Sequence, residues 1–152
     1  MWLYFLVSLA VFAVDRLSKW LVIRYLSPGE SIAVVPHIFM FTYVENPGGA
    51  FGILPYHTDK FVLIGVVLLI VMVTASFYLG RGNLVLNLAL AFLTGGVLGN
   101  LVDRLHAGYV IDFLDFRVWP VFNVADSFIC IGTALLIYII LFSRESRKDE
   151  AE

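Results

Sequence analysis

The chain is organised by long apolar runs. Phe61–Leu79 and Gly82–Val102 carry no charge, and Val121–Phe142 carries one, Asp126. A helix needs about 20 mostly apolar residues to cross a bilayer. The first run is interrupted: Trp2–Val14 is apolar, Asp15, Arg16 and Lys19 intervene, and Trp20–Ile23 resumes. Taken together, Trp2–Leu26 is long enough to span. The pattern predicts four transmembrane helices at about residues 2–26, 61–79, 82–102 and 121–142. No basic residue precedes the first run and no small-x-small site follows it, so it is expected to stay on the protein rather than be cleaved.

The connections differ in kind. Ile32–Val44 is rich in β-branched and aromatic residues and is broken by Pro36, which predicts one or two short strands within the long loop 27–60. Open strand edges are not tolerated in lipid, so these strands belong at the membrane surface. Gly80–Asn83 reads as a tight turn. The connection Asp103–Pro120 is read as a loop carrying Tyr109, Phe113, Phe116 and Trp119, aromatics suited to the interface. The fold class is an all-α membrane protein, with one domain over 1–142 and a polar tail at 143–152.

Composition agrees and narrows the function. Of 152 residues 61 % are hydrophobic and 14 % charged, against about 45–50 % and about 25 % in soluble domains. The mean hydropathy is +0.91. A soluble enzyme, a nucleic-acid binder and a disordered chain are all excluded. A net charge of −2 offers no bulk field for nucleic acid. The single cysteine, Cys130, excludes an internal disulfide and a cysteine-based zinc site, and among Ile129, Ile131 and Gly132 it reads as a small buried hydrophobe. Basic residues fall on both sides of the spans, so charge asymmetry does not fix the orientation. The tail cluster Arg144, Arg147 and Lys148 favours cytoplasmic termini.

Seven of the 22 charges lie in the tail. An ionisable residue within a span marks a candidate site, and four clusters stand out. Asp15 and Lys19 share one helix face, either as a structural ion pair or as part of a site. Asn46-Pro-Gly-Gly-Ala-Phe51 allows a tight turn, with the Asn46 amide free to bond a peptide and Gly48 permitting close approach; the same residues also suit an ordinary loop. In Gly95–Arg104, Gly96 and Gly99 form a patch where another helix can approach. Asn100, Asp103 and Arg104 follow at i, i+3 and i+4, and Arg104 can alternatively snorkel to water. The last cluster joins Asp112 to Asn123 and Asp126.

An unpaired carboxylate at Asp126 would be costly and would take up a proton. Paired with Asp112, it forms a different kind of centre. Two carboxyls about 3 Å apart share one proton, so one serves as base toward water and the other as acid toward an amide oxygen. Asp115 is a competing partner, read as solvated. His37, His57 and His106 are scattered, which argues against a metal site, and no spacing supports a dyad of Ser18 or Ser127 with Lys19 or Lys60. The competing classes are a small proton- or ion-conducting subunit with Asp126 as relay and a purely structural four-helix protein.

Asp15-x-x-x-Lys19, Asn46-x-Gly-x-Ala-Phe51, Gly95-Gly-x-x-Gly-Asn-x-x-Asp-Arg104, Val110-x-Asp-Phe113 and Phe122-Asn-x-Ala-Asp126 occur in this order. Together they resemble the bacterial lipoprotein signal peptidases (signal peptidase II). The resemblance implies an intramembrane aspartyl endopeptidase of the inner membrane, with both termini cytoplasmic. It would cut a prolipoprotein just before a cysteine carrying diacylglycerol. Asp112 and Asp126 would be the catalytic pair. Asn46, Gly48, Asn100, Arg104 and Asn123 would position substrate or orient the pair, supported by Asp15 and Lys19. The strands of the first loop would form a small extracytoplasmic β-like cradle over the site. Its partners would be the lipid-modified prolipoprotein and membrane lipids, with no cofactor or metal, and the chain would act as a monomer. Gly49 stands where the family commonly has alanine, and Ser18 where threonine is frequent.

Overall fold

The computed structural model describes residues 1–49, 55, 57–80 and 82–142. Phe51 of the glycine-rich motif, Arg81 of the second turn and the tail at 143–152 lie outside the described residues. Four helices and one small sheet follow in the order α1 (Trp2–Tyr25), β1 (Ser31–Val35), β2 (Phe39–Asn46), α2 (Thr58–Tyr78), α3 (Leu84–Ala107), β3 (Val110–Asp115) and α4 (Val124–Phe142).

By length and composition α2, α3 and α4 are apolar enough to cross a membrane. The first helix is as long as α3, but it carries Asp15, Arg16, Lys19 and Arg24. Asp15 and Lys19 are wholly buried, whereas Trp2, Leu6, Leu9, Leu17 and Trp20 are turned outward. Its polar stripe therefore faces protein and its apolar side faces away.

The third helix packs against each of the other three. Small residues allow this. A β-carbon on Gly96 would lie 2.6 Å from the Ala125 carbonyl of α4, and one on Gly95 would lie 2.6 Å from the Ser8 carbonyl of α1. The predicted patch is thus the seam of the bundle, where α1 and α4 reach α3 from different sides. The helix also runs five residues past its expected end at Val102, because charge alone does not stop a helix. It stops at Gly108, which takes φ 82° and whose N–H caps the Arg104 carbonyl.

The sheet has the order β1-β2-β3, all antiparallel. Two of its strands come from the first loop, as expected. The third, β3, lies in the segment read as a loop. Its residues Val110–Phe113 are all buried, so they alternate neither in polarity nor in exposure, and the usual half-buried strand signature is missing. Phe113 joins the core with Val22, Leu26, Tyr43 and Ile111 instead of facing the interface. A second apolar cluster, Tyr4, Met72, Leu90 and Ala91, fills the bundle farther along the helices. Cys130 is exposed on α4, not buried. Its neighbour Ile131 is also exposed, whereas Ile129 and Gly132 are the residues that meet α3.

Gly96→Ala is expected to lower stability by about 1–3 kcal/mol, because the obstacle is backbone and cannot swing aside. Thermal unfolding in detergent measures this.

Candidate active site

The polar residues of five elements, α1, β2, α3, β3 and α4, meet between the two apolar clusters. Asn123 stands just before α4, and its Oδ1 accepts the Asp126 N–H at 2.9 Å. Asp126 Oδ2 in turn accepts the Asn123 N–H at 3.3 Å. This reciprocal cap fixes both side chains to the start of the helix. Asp112 comes from β3. Its Oδ1 accepts Asn123 Nδ2 at 2.7 Å and its Oδ2 accepts Asn46 Nδ2 at 2.9 Å. The structure thus brings Asp112 and Asp126 to one asparagine, and places Asp112 on a strand rather than in a loop.

Strand register explains how Asn46 reaches that carboxyl. Asn46 pairs with Val110, two residues before Asp112 and on the same face of β3. A bulge between Phe41 and Val44 sets this register, putting Val44 opposite Asp112.

Three asparagines around the pair have a fixed orientation. Asn46 Oδ1 accepts the Gly48 N–H at 3.0 Å, Asn123 Oδ1 accepts the Asp126 N–H, and Asn100 Oδ1 accepts Lys19 Nζ at 3.0 Å. Each amide oxygen is held by a group that can only donate, so each Nδ2 must point to a carboxyl. Asn100 Nδ2 reaches Asp126 Oδ1 at 2.7 Å.

Beneath the asparagines lies the charge cluster. Lys19 Nζ meets Asp15 Oδ2 at 2.9 Å, Asp103 Oδ2 at 2.7 Å and Asn100 Oδ1 at 3.0 Å. Three acceptors surround its three N–H groups. Arg16 pairs with the other Asp103 oxygen. Asp15 Oδ1 accepts the Ala125 N–H at 2.9 Å, tying α1 to the start of α4. Gly99 makes room for this carboxylate, since a β-carbon there would collide with it. The sequence places Asp103 on the face of Asn100 but gives it no partner, and it does not single out Arg16. The spacing of Arg16 and Lys19, one helical turn apart, is the signal for both.

Arg104 does not snorkel to water. Its Nη2 donates to the Gly48 carbonyl at 2.9 Å and its guanidinium lies 4.9 Å over the Phe61 ring. It clamps the turn after Asn46 onto α3 and α2. Asp115 is not solvated, but it also takes no part in the pair. It is buried and accepts Thr42 Oγ1 at 2.9 Å and the Arg117 N–H at 2.8 Å. Burial pushes its carboxyl up, yet these bonds and the Arg117 charge outweigh that and hold it below the usual carboxylate range.

Asp112 behaves in the opposite way. Burial, and then the nearby Asp126 charge, push its carboxyl up from 3.8 to about 7, against the pull of Asn46 and Asn123. The arrangement can therefore hold one proton near neutral pH. Among the described residues, no three His, Cys, Asp or Glu side chains are grouped to hold a metal ion. A serine–lysine dyad has no geometry here: Ser18 Oγ donates to the Asp15 carbonyl, Ser127 Oγ donates to the Asn123 carbonyl, and Lys19 is saturated.

Two outcomes follow from this geometry. Lys19→Met leaves Asp15 buried without a cation and Asp103 with Arg16 alone, and is expected to cost about 3–5 kcal/mol, read as loss of folded protein after detergent purification. The folded state also keeps a proton on Asp112 that the unfolded chain releases near pH 4. Stability is then expected to fall as the pH rises from about 4 to about 7. A pH series of unfolding midpoints checks this, and Asp112→Asn should flatten the fall.

The model of the family described as signal peptidase (SPase) II matches residues 7–142. The lipoprotein signal peptidase of Moorella thermoacetica is 46 % identical over 138 residues, which is 91 % of this chain and 92 % of that protein. That of Halothermothrix orenii is 44 % identical, covering 95 % and 99 %. A solved structure described as a bacterial membrane enzyme, determined by the in meso method at 2.3 Å, superposes with a TM-score of 0.89. It shares 32 % identity and covers 93 % of this chain and 88 % of its own. With its family pattern spanning all four helices and the sheet, the chain belongs to the signal peptidase II family, the lipoprotein signal peptidases.

Proposed function

We propose that Asp112 and Asp126 are the catalytic pair of an aspartic endopeptidase that removes the signal peptide of a diacylglyceryl-modified prolipoprotein, cutting before the lipidated cysteine. The observation that carries this reading is the bridging of the two carboxyls by Asn123, with Asn46 and Asn100 fixed as donors behind them. Two acids held this way, one with a proton retained near neutral pH, suit general acid–base attack of water on a peptide carbonyl. No covalent intermediate is needed.

The surroundings support the same reading. A groove of about 130 Å³ between α2, α3 and α4, lined by Phe61, Leu68, Val97, Leu101 and Ile129, ends on Asn100 and Arg104. An apolar signal helix in the bilayer would meet the pair from this side. In this layout α1 is the fourth span, its charged stripe covered by α3 and α4. Both termini are cytoplasmic, the sheet lies over the site at the extracytoplasmic face, and the membrane is the bacterial inner membrane. Residues 1–142 act as one domain. Both carboxyls come from one chain, so a single copy suffices. Asp15, Lys19, Asn46, Gly48, Asn100, Arg104 and Asn123 orient the pair or hold the turn beside it.

Asp112→Asn and Asp126→Asn are each expected to fold and to lose at least about a thousandfold in cleavage rate. A gel-shift assay with a lipid-modified prolipoprotein reads this, and substantial cleavage by either variant would sink the pair.

A further inference from the structure

The donors behind the two carboxyls are unequal. Asp126 accepts from Asn100 Nδ2, and the oxygen of that same amide takes the Lys19 ammonium. A cation on the oxygen polarises the amide, so its N–H group is a stronger donor than that of a free amide. Asp126 is also the third residue of α4, where the positive end of the helix favours an anion. Asp112 has neither advantage. It lies on a strand, which carries little net dipole. Its donors, Asn46 and Asn123, have their oxygens on the neutral N–H groups of Gly48 and Asp126. Asn123 Nδ2 gives one N–H to Asp112 Oδ1 at 2.7 Å and the other to Asn100 Oδ1 at 3.1 Å.

We propose that Lys19, acting through Asn100, is a positioning residue that assigns the two roles: it keeps the negative charge on Asp126, the base, and leaves the proton on Asp112, the acid. This rests on the reading of Asp112 and Asp126 as the catalytic pair. The step balances. Water gives a proton to Asp126 as its oxygen bonds to the scissile carbonyl carbon, while the carbonyl oxygen takes the proton of Asp112. The neutral diol then collapses: the C–N bond breaks, the departing nitrogen takes the proton from Asp126, and Asp112 recovers one from a diol hydroxyl. The pair returns to its starting state.

The other charges near Asp126 do not make this choice. On α1, Asp15 is balanced by Lys19. On α3, Asp103 is balanced by Lys19 and Arg16. Arg104, also on α3, acts on both Asp112 and Asp126 while bound to the Gly48 carbonyl; the Lys19 charge also reaches Asp112, but its hydrogen-bonded route through Asn100 Nδ2 ends on Asp126 alone. From β3, Asp112 shares Asn123 with Asp126, and the elevation of its carboxyl to about 7 by burial and by Asp126 fits a proton held there.

The test removes the relay and keeps the ion cluster. Asn100→Leu leaves Lys19 on Asp15 and Asp103. In an Asp112→Asn background, the ionisation of Asp126 is read by infrared spectroscopy of aspartate-labelled protein, subtracting the Asp112→Asn/Asp126→Asn spectrum. Adding Asn100→Leu should raise the midpoint by about one pH unit or more, a tenfold weaker acid. In the otherwise native chain, Asn100→Leu should move the acidic limb of the kcat/KM profile upward by a similar amount. An unchanged or lowered midpoint, a shift of the alkaline limb alone, or a uniform loss of kcat with both limbs fixed would overturn the proposal. Should Asn100→Leu fail to fold, Asn100→Ala, which also has no donor or acceptor, carries the same expectations. The infrared arm needs no cleavage, so it stands apart from the catalytic pair itself, which falls instead if Asp112→Asn or Asp126→Asn still cuts.

Discussion

A lysine ammonium with no solvent contact sits where α1 crosses α3. Burying such a charge is tolerated only when every donor finds an acceptor and the charge is balanced nearby. Lys19 meets both demands with Asp15, Asp103 and Asn100. These demands fix the register of α1 on α3, because acceptors on both helices must converge on one nitrogen. They also require a side chain no larger than hydrogen at Gly99, beside Asp15. Through Asp15 the same cluster holds the Ala125 N–H, and through Asn100 it touches Asp126. The first turn of α4, which carries one of the two central carboxyls, is therefore anchored to the first helix of the chain.

The second carboxyl arrives by a different route. Strand β3 is short, buried and bounded by Gly108 on one side and the bridge between Leu114 and Phe122 on the other. Its pairing with β2 brings Asn46 to Asp112, and Arg104 holds the following turn down through the Gly48 carbonyl. Helices position one acid and a sheet positions the other. The two supports join at Asn123, whose single amide caps α4 and bonds Asp112. Such a centre is stiff, since turning any one of the three asparagines would strand a buried donor or acceptor.

Much of this was legible in the sequence. The three long apolar runs give α2, α3 and α4 to within a few residues at most ends, and the small-residue patch at Gly96 and Gly99 is the helix seam. The residues Asp112, Asn123 and Asp126 do converge. What escaped was set by tertiary contacts. Buried β3 lacks the alternation that marks a strand, so Asp112 read as a loop residue and Phe113 as interfacial. Asp115 read as solvated because its partners, Thr42 and Arg117, are brought by strand pairing and by a backbone turn. Cys130 read as buried because a helix with apolar residues on all sides gives no sign of which side faces protein. The charge-free run ends at Val102, but α3 continues through Asp103 and Arg104 and stops only at Gly108. The α3 partners of Lys19 lie 81 and 84 positions away, and no local pattern announces them.

The central claim is that two protein carboxyls, held by fixed amides at the edge of the bilayer, cut a lipid-anchored chain unaided. The most direct measurement incubates the purified protein with a diacylglyceryl-modified prolipoprotein and with the same precursor lacking the lipid, each with and without a strong chelator. The account expects one cut, immediately before the lipidated cysteine, at a rate the chelator leaves unchanged. Loss of cleavage on chelation, or equal cutting of the unmodified precursor, would contradict it.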